Sequence, residues 1–332
     1  MTMADTRPVV FCSWGFPEAG ISLLREHFNV HVWDGPDGAP REVLLRELAD
    51  GAAAVLALPP SDRLNPEAMA IAPNLKVISG FGVGFDYVDV AEATTRGIAV
   101  CNTPGTLTET TADQAWALML GMARHVPKGD RYVRSGGWKK YEPALLLGTD
   151  IHGATLGVIG MGAIGTAVAR RGKGFAMRIL YSGRTRRPEA EAETGATYVP
   201  MDELLAQSDF VSINCALNAE TRGLIGSREL GLMKRTAILV NSARGAIVKQ
   251  ADLASALRSG TIAGAAIDVF EVEPIAPDDV LLACENAVFA PHLGSATFAT
   301  RSNMSRLACE NIIAVLHGHR PPFLVNPDVW KH

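Results

Sequence analysis

The chain has 332 residues, of which 48% are apolar and 20% are charged. This balance is typical of a globular protein and excludes an intrinsically disordered chain, which needs low hydrophobicity and a high net charge. Lys and Arg number 31 against 35 Asp and Glu, and the resulting net charge of −4 argues against a nucleic-acid-binding protein. At roughly 150 residues per domain, the length predicts two domains.

The sequence carries no sign of a membrane or secreted protein. No apolar run reaches the roughly 18 residues that a membrane helix needs. The start, Met1 to Pro8, contains Asp5 and lacks the apolar core of a secretory signal. The five cysteines form no Cys-x-x-Cys pair, so neither a disulfide framework nor a metal site is predicted. We therefore expect a cytoplasmic protein without a structural metal.

The first hundred residues alternate between short apolar strands and segments with helical spacing. The predicted strands are 9–12, 30–33, 53–56, 77–79 and 98–101, and the predicted helices are 20–27 and 41–49. Short apolar strands separated by helices predict a parallel sheet that is covered on both faces.

A long helix is predicted over residues 108–124, and a loop or crossover over residues 135–150. A second alternating series follows. Its predicted strands are 156–159, 179–181, 210–213, 237–241, 264–268 and 287–290, and its predicted helices are 163–175, 201–206, 230–233 and 250–259. Gly260 is a good helix stop, and a final helix is predicted over 299–317. The fold class is therefore α/β, with two Rossmann-like, doubly wound parallel-sheet domains.

The strongest local motif is Gly160-Met161-Gly162-Ala163-Ile164-Gly165, between a predicted strand and a predicted helix. In that setting the Gly-x-Gly-x-x-Gly pattern predicts a dinucleotide site. Gly160 makes the tight turn, Gly162 lets the backbone approach the pyrophosphate, and Gly165 allows close packing of helix on strand. The helix N-terminus adds N–H groups and a partial positive charge.

The end of the next strand predicts which dinucleotide binds. An NAD site usually offers Asp or Glu to the adenosine ribose about 20 residues on, but here the chain reads Tyr181-Ser182-Gly183-Arg184-Thr185-Arg186-Arg187. Arginine pairs with a 2′-phosphate that a carboxylate would repel. NADP(H) is therefore preferred, with NAD(H) possible, and Ser182, Arg184 and Thr185 are the expected contacts. For Arg186 and Arg187, contact with the phosphate and exposure to solvent are both left open. The alternative for the whole turn is a basic turn that is exposed to solvent and binds no phosphate.

Three polar residues follow predicted strands of the second series: Arg244, Glu273 and His292. Ligands of open α/β sheets bind beyond the carboxyl ends of the strands, so these side chains are placed to converge. His can exchange a proton near neutral pH, and a neighbouring Glu would favour the imidazolium form. Arg can bind a carboxylate through two parallel hydrogen bonds. Taken singly, each has a structural alternative: a core histidine, a surface ion pair and an ordinary turn.

Around these residues the sequence resembles the D-isomer-specific 2-hydroxyacid dehydrogenases. The resembling segments are Asn241-Ser242-Ala243-Arg244-Gly245, Asp268-Val269-Phe270-Glu271-Val272-Glu273-Pro274 and Pro291-His292-Leu293-Gly294-Ser295-Ala296-Thr297. The Arg–Glu–His separations of 29 and 19 residues are also similar to that family. Within it, residues 103–112, 136–138 and 181–189 look most like glyoxylate/hydroxypyruvate reductases.

The resemblance implies a role for each residue. Arg244 would bind the substrate carboxylate and carbonyl, His292 would be the acid/base, and Glu273 would pair with it. The backbone N–H groups of Val83 and Gly84 would hold the carboxylate, although residues 80–86 could otherwise be only a flexible turn.

The resemblance also implies a set of cofactor contacts, in which Asp268 could instead merely cap the next turn. These contacts are Gly160, Gly162, Ala163, Ile164 and Gly165 at the pyrophosphate, Ser182, Arg184, Thr185, Cys215 and Ala216 on the adenosine side, and Thr111, Ser242, Arg244, Asp268, His292 and Gly294 toward the nicotinamide.

The family fold implies a discontinuous substrate domain, residues 1–101 with 296–332, and a dinucleotide-binding domain, residues 102–295, with a cleft between them. It also implies a homodimer built through the cofactor domain. Trp138 would reach a neighbouring subunit's active site, or else anchor the crossover loop as a buried residue.

The activity expected from these features is NADPH-dependent reduction of small 2-keto acids to D-2-hydroxy acids, with glyoxylate and hydroxypyruvate favoured. One alternative is an NAD-dependent dehydrogenase of phosphoglycerate or D-lactate. The missing acidic residue after Tyr181 and the absence of a regulatory segment after the final helix argue against it. Another alternative is a non-catalytic protein that senses a dinucleotide with the same fold.

Overall fold

The computed structural model describes residues 6–59 and 62–330, and the chain divides into two compact units. The first unit contains the chain up to Leu107 and from Ala296 onward, and the second contains Thr108–Ser295. The expectation about a secretory signal depends on Met1 to Asp5, which lie outside the described residues. Across the described ranges, no helix has both the length and the apolar character needed to span a bilayer.

Strands and helices alternate along the whole chain. The strands are β1 (Val9–Cys12), β2 (Asn29–Val32), β3 (Ala54–Ala57), β4 (Val77–Gly80), β5 (Ala99–Cys101), β6 (Thr155–Ile159), β7 (Arg178–Ser182), β8 (Thr197–Tyr198), β9 (Phe210–Ile213), β10 (Ile238–Asn241), β11 (Gly264–Ile267) and β12 (Ala287–Phe289). The helices are α1 (Glu18–His27), α2 (Arg41–Ala49), α3 (Pro66–Ala70), α4 (Val90–Thr95), α5 (Thr108–Ala123), α6 (Val126–Arg134), α7 (Ala163–Gly174), α8 (Pro188–Thr194), α9 (Met201–Gln207), α10 (Ser227–Leu232), α11 (Gln250–Ser259) and α12 (Phe298–Leu316).

The first unit is a parallel sheet in the order β2-β1-β3-β4-β5, and the last helix of the chain completes its core. Helix α12 packs on α1 so closely that a side chain at Gly20 would lie 2.3 Å from the Ser305 carbonyl oxygen. The Ser79 hydroxyl of β4 also donates to the carbonyl of Ala308 on α12, at 2.8 Å. Ile312 of α12 is fully buried in the same cluster as the β1 residue Val10.

The second unit is a parallel sheet in the order β12-β11-β10-β9-β6-β7-β8. All residues of β9, β10 and β11 are buried, because helices cover both faces. On one face, the Trp116 indole of α5 donates to the carbonyl of Val168 on α7 and stacks on Phe175. Since the strands run parallel, their carboxyl ends place residues 160, 182, 214, 242, 268 and 290 at one edge. The α/β class with two doubly wound parallel sheets is confirmed.

Most of the predicted strands and longer helices lie within one or two residues of the observed elements, and Gly260 ends α11 with a φ of 66°. The prediction for 230–233 was displaced: α10 begins at Ser227, because the Glu229 carboxylate accepts the Gly226 N–H and starts the helix earlier. Helices α3, α4, α6 and α8 were not predicted. They are short, and α6 buries none of its residues.

Candidate active site

The Gly-rich turn joins β6 to α7, as predicted. Gly160 has a φ of 92°, and a side chain there would lie 2.7 Å from the backbone nitrogen of Cys215. At Gly165, a Cβ would lie 2.0 Å from the Gly160 carbonyl oxygen. Both positions therefore require glycine, the first for its backbone conformation and the second for the close approach of helix to strand.

Gly162 and the first turn of α7 fit the pyrophosphate of a dinucleotide. Gly162 is the N-cap of α7 and offers no side-chain cap, and a Cβ there would meet nothing within 4 Å. Ala163 is exposed and Ile164 is half-buried in the first helical turn. Open space in front of uncapped N–H groups, together with the helix dipole, suits an anionic group.

The turn after β7 presents two exposed residues, Arg184 and Thr185, beside the buried Ser182. Arg186 is engaged locally, because its guanidinium makes two contacts of 2.8 Å with the Glu191 carboxylate. The hydrogen bonds that Glu191 accepts from Arg186 and from the Tyr181 hydroxyl lower the pKa of Glu191 to about 2. Within the described residues, Arg184 forms no ion pair, so it is available to a ligand.

Cys215 and Ala216 follow β9 and flank the Gly-rich turn. Cys215 is half-buried and its backbone lies against Gly160, whereas Ala216 is exposed. The Thr221 hydroxyl donates to the Ala216 carbonyl at 2.7 Å and fixes this segment. The fold therefore brings the two residues expected on the adenosine side next to the Gly-rich turn.

His292 and Glu273 form the closest pair at the site. The Nδ1 atom of His292 lies 2.6 Å from Oε2 of Glu273, and the other carboxylate oxygen accepts the Phe270 N–H at 2.9 Å. Burial alone would raise the pKa of Glu273. The His292 hydrogen bond and charge, the Phe270 N–H and the positive charge of Arg244 oppose burial and leave the pKa below its usual value. The ionised carboxylate only accepts, so the proton of this pair resides on Nδ1.

The backbone holds His292 in an uncommon conformation. Its φ is 54°, in the left-handed region that non-glycine residues seldom adopt. Asp268 fixes the turn from both ends: its carbonyl accepts the His292 N–H, and its Oδ1 accepts the Leu293 N–H, each at 2.8 Å. Such conformations cluster at functional sites, where surrounding contacts enforce them. Within the described residues, Nε2 of His292 has no hydrogen-bond partner.

Arg244 follows β10 on a stretch that is fixed by its own backbone bonds. Asn241 donates to the Arg244 carbonyl at 3.0 Å, and Asn241 Oδ1 accepts the Ala243 N–H at 3.1 Å. The next residue, Gly245, packs directly on Phe270, where a Cβ would lie 1.8 Å from the carbonyl carbon. The strand end that carries Arg244 is thus in contact with the loop that carries Glu273.

Among the residues that the structure describes, two buried oxygen atoms at this edge have no hydrogen-bond partner: Oδ2 of Asp268 and Oγ of Ser242. Buried polar atoms are normally satisfied, so an orphaned pair at a strand edge points to a ligand. Burial also raises the pKa of Asp268, although the Leu293 and Gly294 N–H groups, His292 and Gln114 pull it down. Thr111 lies beside Gly294, where a Cβ would be 3.3 Å from the Thr111 methyl and 3.4 Å from Oδ2 of Asp268.

Sequence reasoning missed Gln114, whose amide lies 3.5 Å from Oδ1 of Asp268. It stands one turn after Thr111 on α5, and that helical spacing is the signal that could have suggested it. Asp268 both fixes a turn, as the structural alternative held, and presents an unsatisfied oxygen.

Val83 and Gly84 belong to the first unit, in the segment after β4. This segment is anchored rather than loose: the Phe81 N–H donates to Ala57, and the Gly82 carbonyl accepts the Thr103 N–H. Trp138 is 57% exposed in the segment after α6, so the alternative of a buried loop anchor is wrong.

Comparison with known proteins identifies the family of this chain. Residues 116–294 match the family described as D-isomer specific 2-hydroxyacid dehydrogenase, NAD binding domain. The glyoxylate reductases of Korarchaeum cryptofilum and Thermococcus gammatolerans are each 50% identical to this chain, over 98% of both chains. A crystal structure of a glyoxylate reductase from Paecilomyes thermophila has a TM-score of 0.86 at 35% identity, covering 96% of this chain and 98% of its own.

A further solved structure is the NADPH-dependent glyoxylate/hydroxypyruvate reductase of Sinorhizobium meliloti in complex with NADP and malonate. It has a TM-score of 0.86 at 32% identity, covering 96% of this chain and 97% of that one. A Gly-rich turn between strand and helix of a doubly wound sheet is typical of a dinucleotide-binding protein, and the matched family and relatives make this chain a nicotinamide-dinucleotide-dependent oxidoreductase. The chain belongs to the D-isomer specific 2-hydroxyacid dehydrogenase family.

Proposed function

We propose that this protein reduces glyoxylate and hydroxypyruvate to the corresponding 2-hydroxy acids with NADPH. The observation that carries the proposal is the 2.6 Å contact between His292 and Glu273, on a turn that the backbone of Asp268 enforces. The names of the relatives, glyoxylate reductases at 50% identity, support the substrate class.

In this mechanism the nicotinamide cofactor, when bound, supplies the hydride that adds to the carbonyl carbon. His292 gives a proton from Nε2 to the carbonyl oxygen, which becomes the hydroxyl of the product. The Glu273 carboxylate keeps the other ring proton on Nδ1 and stabilises the imidazolium before transfer. Before the next turnover, Nε2 of His292 must take up a new proton from solvent.

Arg244 anchors the substrate carboxylate through its planar guanidinium. We also propose that the backbone N–H groups of Val83 and Gly84, in the first unit, bind the carboxylate group of a keto acid. Thr111, Ser242, Asp268 and Gly294 hold the nicotinamide end, where the orphaned oxygens of Asp268 and Ser242 offer acceptors. We accordingly propose the first unit as the substrate domain and the second as the dinucleotide-binding domain.

The preference for NADPH depends on the turn after β7. Arg184 is exposed, and the Glu191 carboxylate is engaged by Arg186. A 2′-phosphate at Ser182, Arg184 and Thr185 would therefore meet the positive charge of Arg184.

We also propose a homodimer. Its contact surface, here called the α6 patch, consists of apolar side chains that are each more than half exposed on α6 and the segment after it: Val126, Val133, Trp138, Tyr141 and Leu147. Exposed large apolar side chains concentrated in one segment of the chain favour an interface, and a second copy would bury Trp138 near a partner's active site. The five free cysteines support a cytosolic location.

A spectrophotometric assay at 340 nm tests the activity. NADPH and NADH are each supplied with glyoxylate, hydroxypyruvate, pyruvate and phosphohydroxypyruvate. We expect the absorbance to fall fastest when NADPH is supplied with glyoxylate or with hydroxypyruvate. A faster reaction with NADH and a larger acid would favour another dehydrogenase, and no reaction with any acid would favour a dinucleotide-sensing protein.

A further inference from the structure

A buried amide stands behind the segment that contains Val83 and Gly84. Asn311 is fully buried on α12, where the neighbouring buried residues Ala308 and Ile312 are apolar. A buried amide is tolerated only when its hydrogen bonds are made. The Asn311 Nδ2 atom donates to the carbonyl of Asn102 at 3.1 Å, and its Oδ1 accepts the Phe323 N–H at 3.2 Å.

Asn102 continues the chain of contacts toward the proposed carboxylate donors. It follows β5 directly, and its Nδ2 donates to the Val83 carbonyl at 2.8 Å. The next residue, Thr103, donates its backbone N–H to the Gly82 carbonyl at 2.9 Å. Asn311 therefore fixes the backbone from which both bonds to residues 82 and 83 are made.

Because of peptide geometry, the hydrogen bonds to the Gly82 and Val83 carbonyls also orient two N–H groups. A peptide unit is planar, and in its trans form the C=O and the following N–H point in opposite directions. Holding the Gly82 carbonyl therefore orients the N–H of Val83, and holding the Val83 carbonyl orients the N–H of Gly84. Each proposed donor to the substrate carboxylate is thus fixed from the far side of its own peptide plane.

We propose that Asn311 is a positioning residue for substrate binding, acting through Asn102 and Thr103 on the N–H groups of Val83 and Gly84. This inference rests on the proposed function of that segment as a carboxylate cradle. Asn311 contacts no proposed substrate or cofactor residue itself, so its effect would be felt in keto-acid binding rather than in cofactor binding.

The chain supplies a matched control in Asn326. This residue is also buried, at 5% exposure, and it also ties the C-terminal part of the chain to the backbone around β5. Its Oδ1 accepts the Val100 N–H at 2.8 Å, and its Nδ2 donates to the Ile98 carbonyl at 2.9 Å. These contacts lie at the amino half of β5, away from residues 82–84.

The experiment compares Asn311→Ala with Asn326→Ala in steady-state kinetics, with thermal melting as the measure of folding. We expect Asn311→Ala to raise the KM for glyoxylate about tenfold, because misplaced donors weaken binding, and to leave the KM for NADPH unchanged. Asn326→Ala should lower the melting temperature by a similar amount without changing either KM. An equal rise of the glyoxylate KM in the two variants, or an unchanged glyoxylate KM in Asn311→Ala, would overturn the proposal.

Asn102→Ala provides a second test that does not open the core, since this side chain is only half-buried. It should also raise the glyoxylate KM about tenfold, and the double variant with Asn311→Ala should add little, because both act in one chain of contacts. Additive effects, or an unchanged KM in Asn102→Ala, would contradict the inference. A wild-type protein that turns over no keto acid would instead contradict the proposed function.

Discussion

His292 uses its two ring nitrogens differently. Nδ1 is held by Glu273 at 2.6 Å, and Nε2 is the atom from which we propose that the substrate carbonyl receives its proton. The loss of this group is tested by His292→Gln, which keeps a hydrogen-bonding side chain but cannot act as the acid. We expect kcat to fall by about 10²–10⁴.

NADPH binding, followed by cofactor fluorescence, should be retained in His292→Gln because the Gly-rich turn is untouched. Unimpaired turnover would remove His292 from the mechanism.

Glu273 acts on the reaction through charge. The pKa of Glu273 is lowered, so its carboxylate stays ionised across the neutral range and favours a positive charge on the neighbouring imidazole. Glu273→Gln removes that charge while keeping the shape. We expect the alkaline decline of the reduction rate to move to lower pH, measured as a full pH–rate profile. A profile that decreases uniformly, without moving along the pH axis, would indicate a merely structural role.

Arg184 is the residue on which cofactor choice depends in this proposal. Arg184→Asp should reduce the ratio of kcat/KM for NADPH over NADH by about 10- to 100-fold, because a carboxylate repels the 2′-phosphate and accepts a ribose hydroxyl. Arg178→Asp is the control. It makes the same change of charge at the exposed first residue of β7, at the opposite edge of the sheet. A similar effect in both variants would indicate general electrostatics instead of a phosphate contact.

At the scale of elements, the catalytic groups depend on how the strand ends meet. Gly245 begins a short 3-10 turn after Arg244 and packs on Phe270, whose N–H in turn holds Glu273. Gly245→Ala would place a Cβ 1.8 Å from the Phe270 carbonyl carbon. We expect a loss of stability of about 1–3 kcal/mol from this overlap, and a reduced kcat because Glu273 moves with the loop.

Gly231→Ala is the matched change in helix α10, where a Cβ meets nothing within 4 Å. It should raise the free energy of unfolding by about 0.5–1 kcal/mol without altering kcat. Chemical denaturation and steady-state kinetics measure both effects. A stable, fully active Gly245→Ala protein would show that the two strand ends are not coupled.

Elements with strong burial could be predicted from the sequence, and elements without it could not. Strands β9 and β10 are short, mostly apolar segments that are buried along their whole length, so their positions could be predicted from the sequence. Helix α6 has the sequence VPKGDRYVR, in which Pro127 and Gly129 obscure the helical spacing of Val126 and Val133, and it buries none of its residues. The Arg–Glu–His residues were predictable because each follows a strand. Gln114 and the pairing of Arg186 with Glu191 depend on tertiary placement that spacing does not encode.

At the scale of the whole molecule, the α6 patch should decide the oligomeric state. Tyr141→Asp combined with Leu147→Asp places two charges in the patch, and burying them in an interface would be costly. We expect the double variant to sediment as a monomer while the wild-type protein sediments as a dimer. Val280→Asp, at a half-exposed apolar position outside the patch, should leave the dimer intact. A wild-type monomer at micromolar concentration would contradict the proposal.

The closure of the first unit by α12 has a consequence for synthesis on the ribosome. The second unit, Thr108–Ser295, is one uninterrupted stretch and can close its core as soon as it emerges. The earlier β1–β5 sheet must wait until the 19 residues of α12 have been translated before its apolar face is covered. The first unit is thus begun first and completed last, and a chain that ends before Phe298 would contain a folded second unit joined to an incomplete first unit.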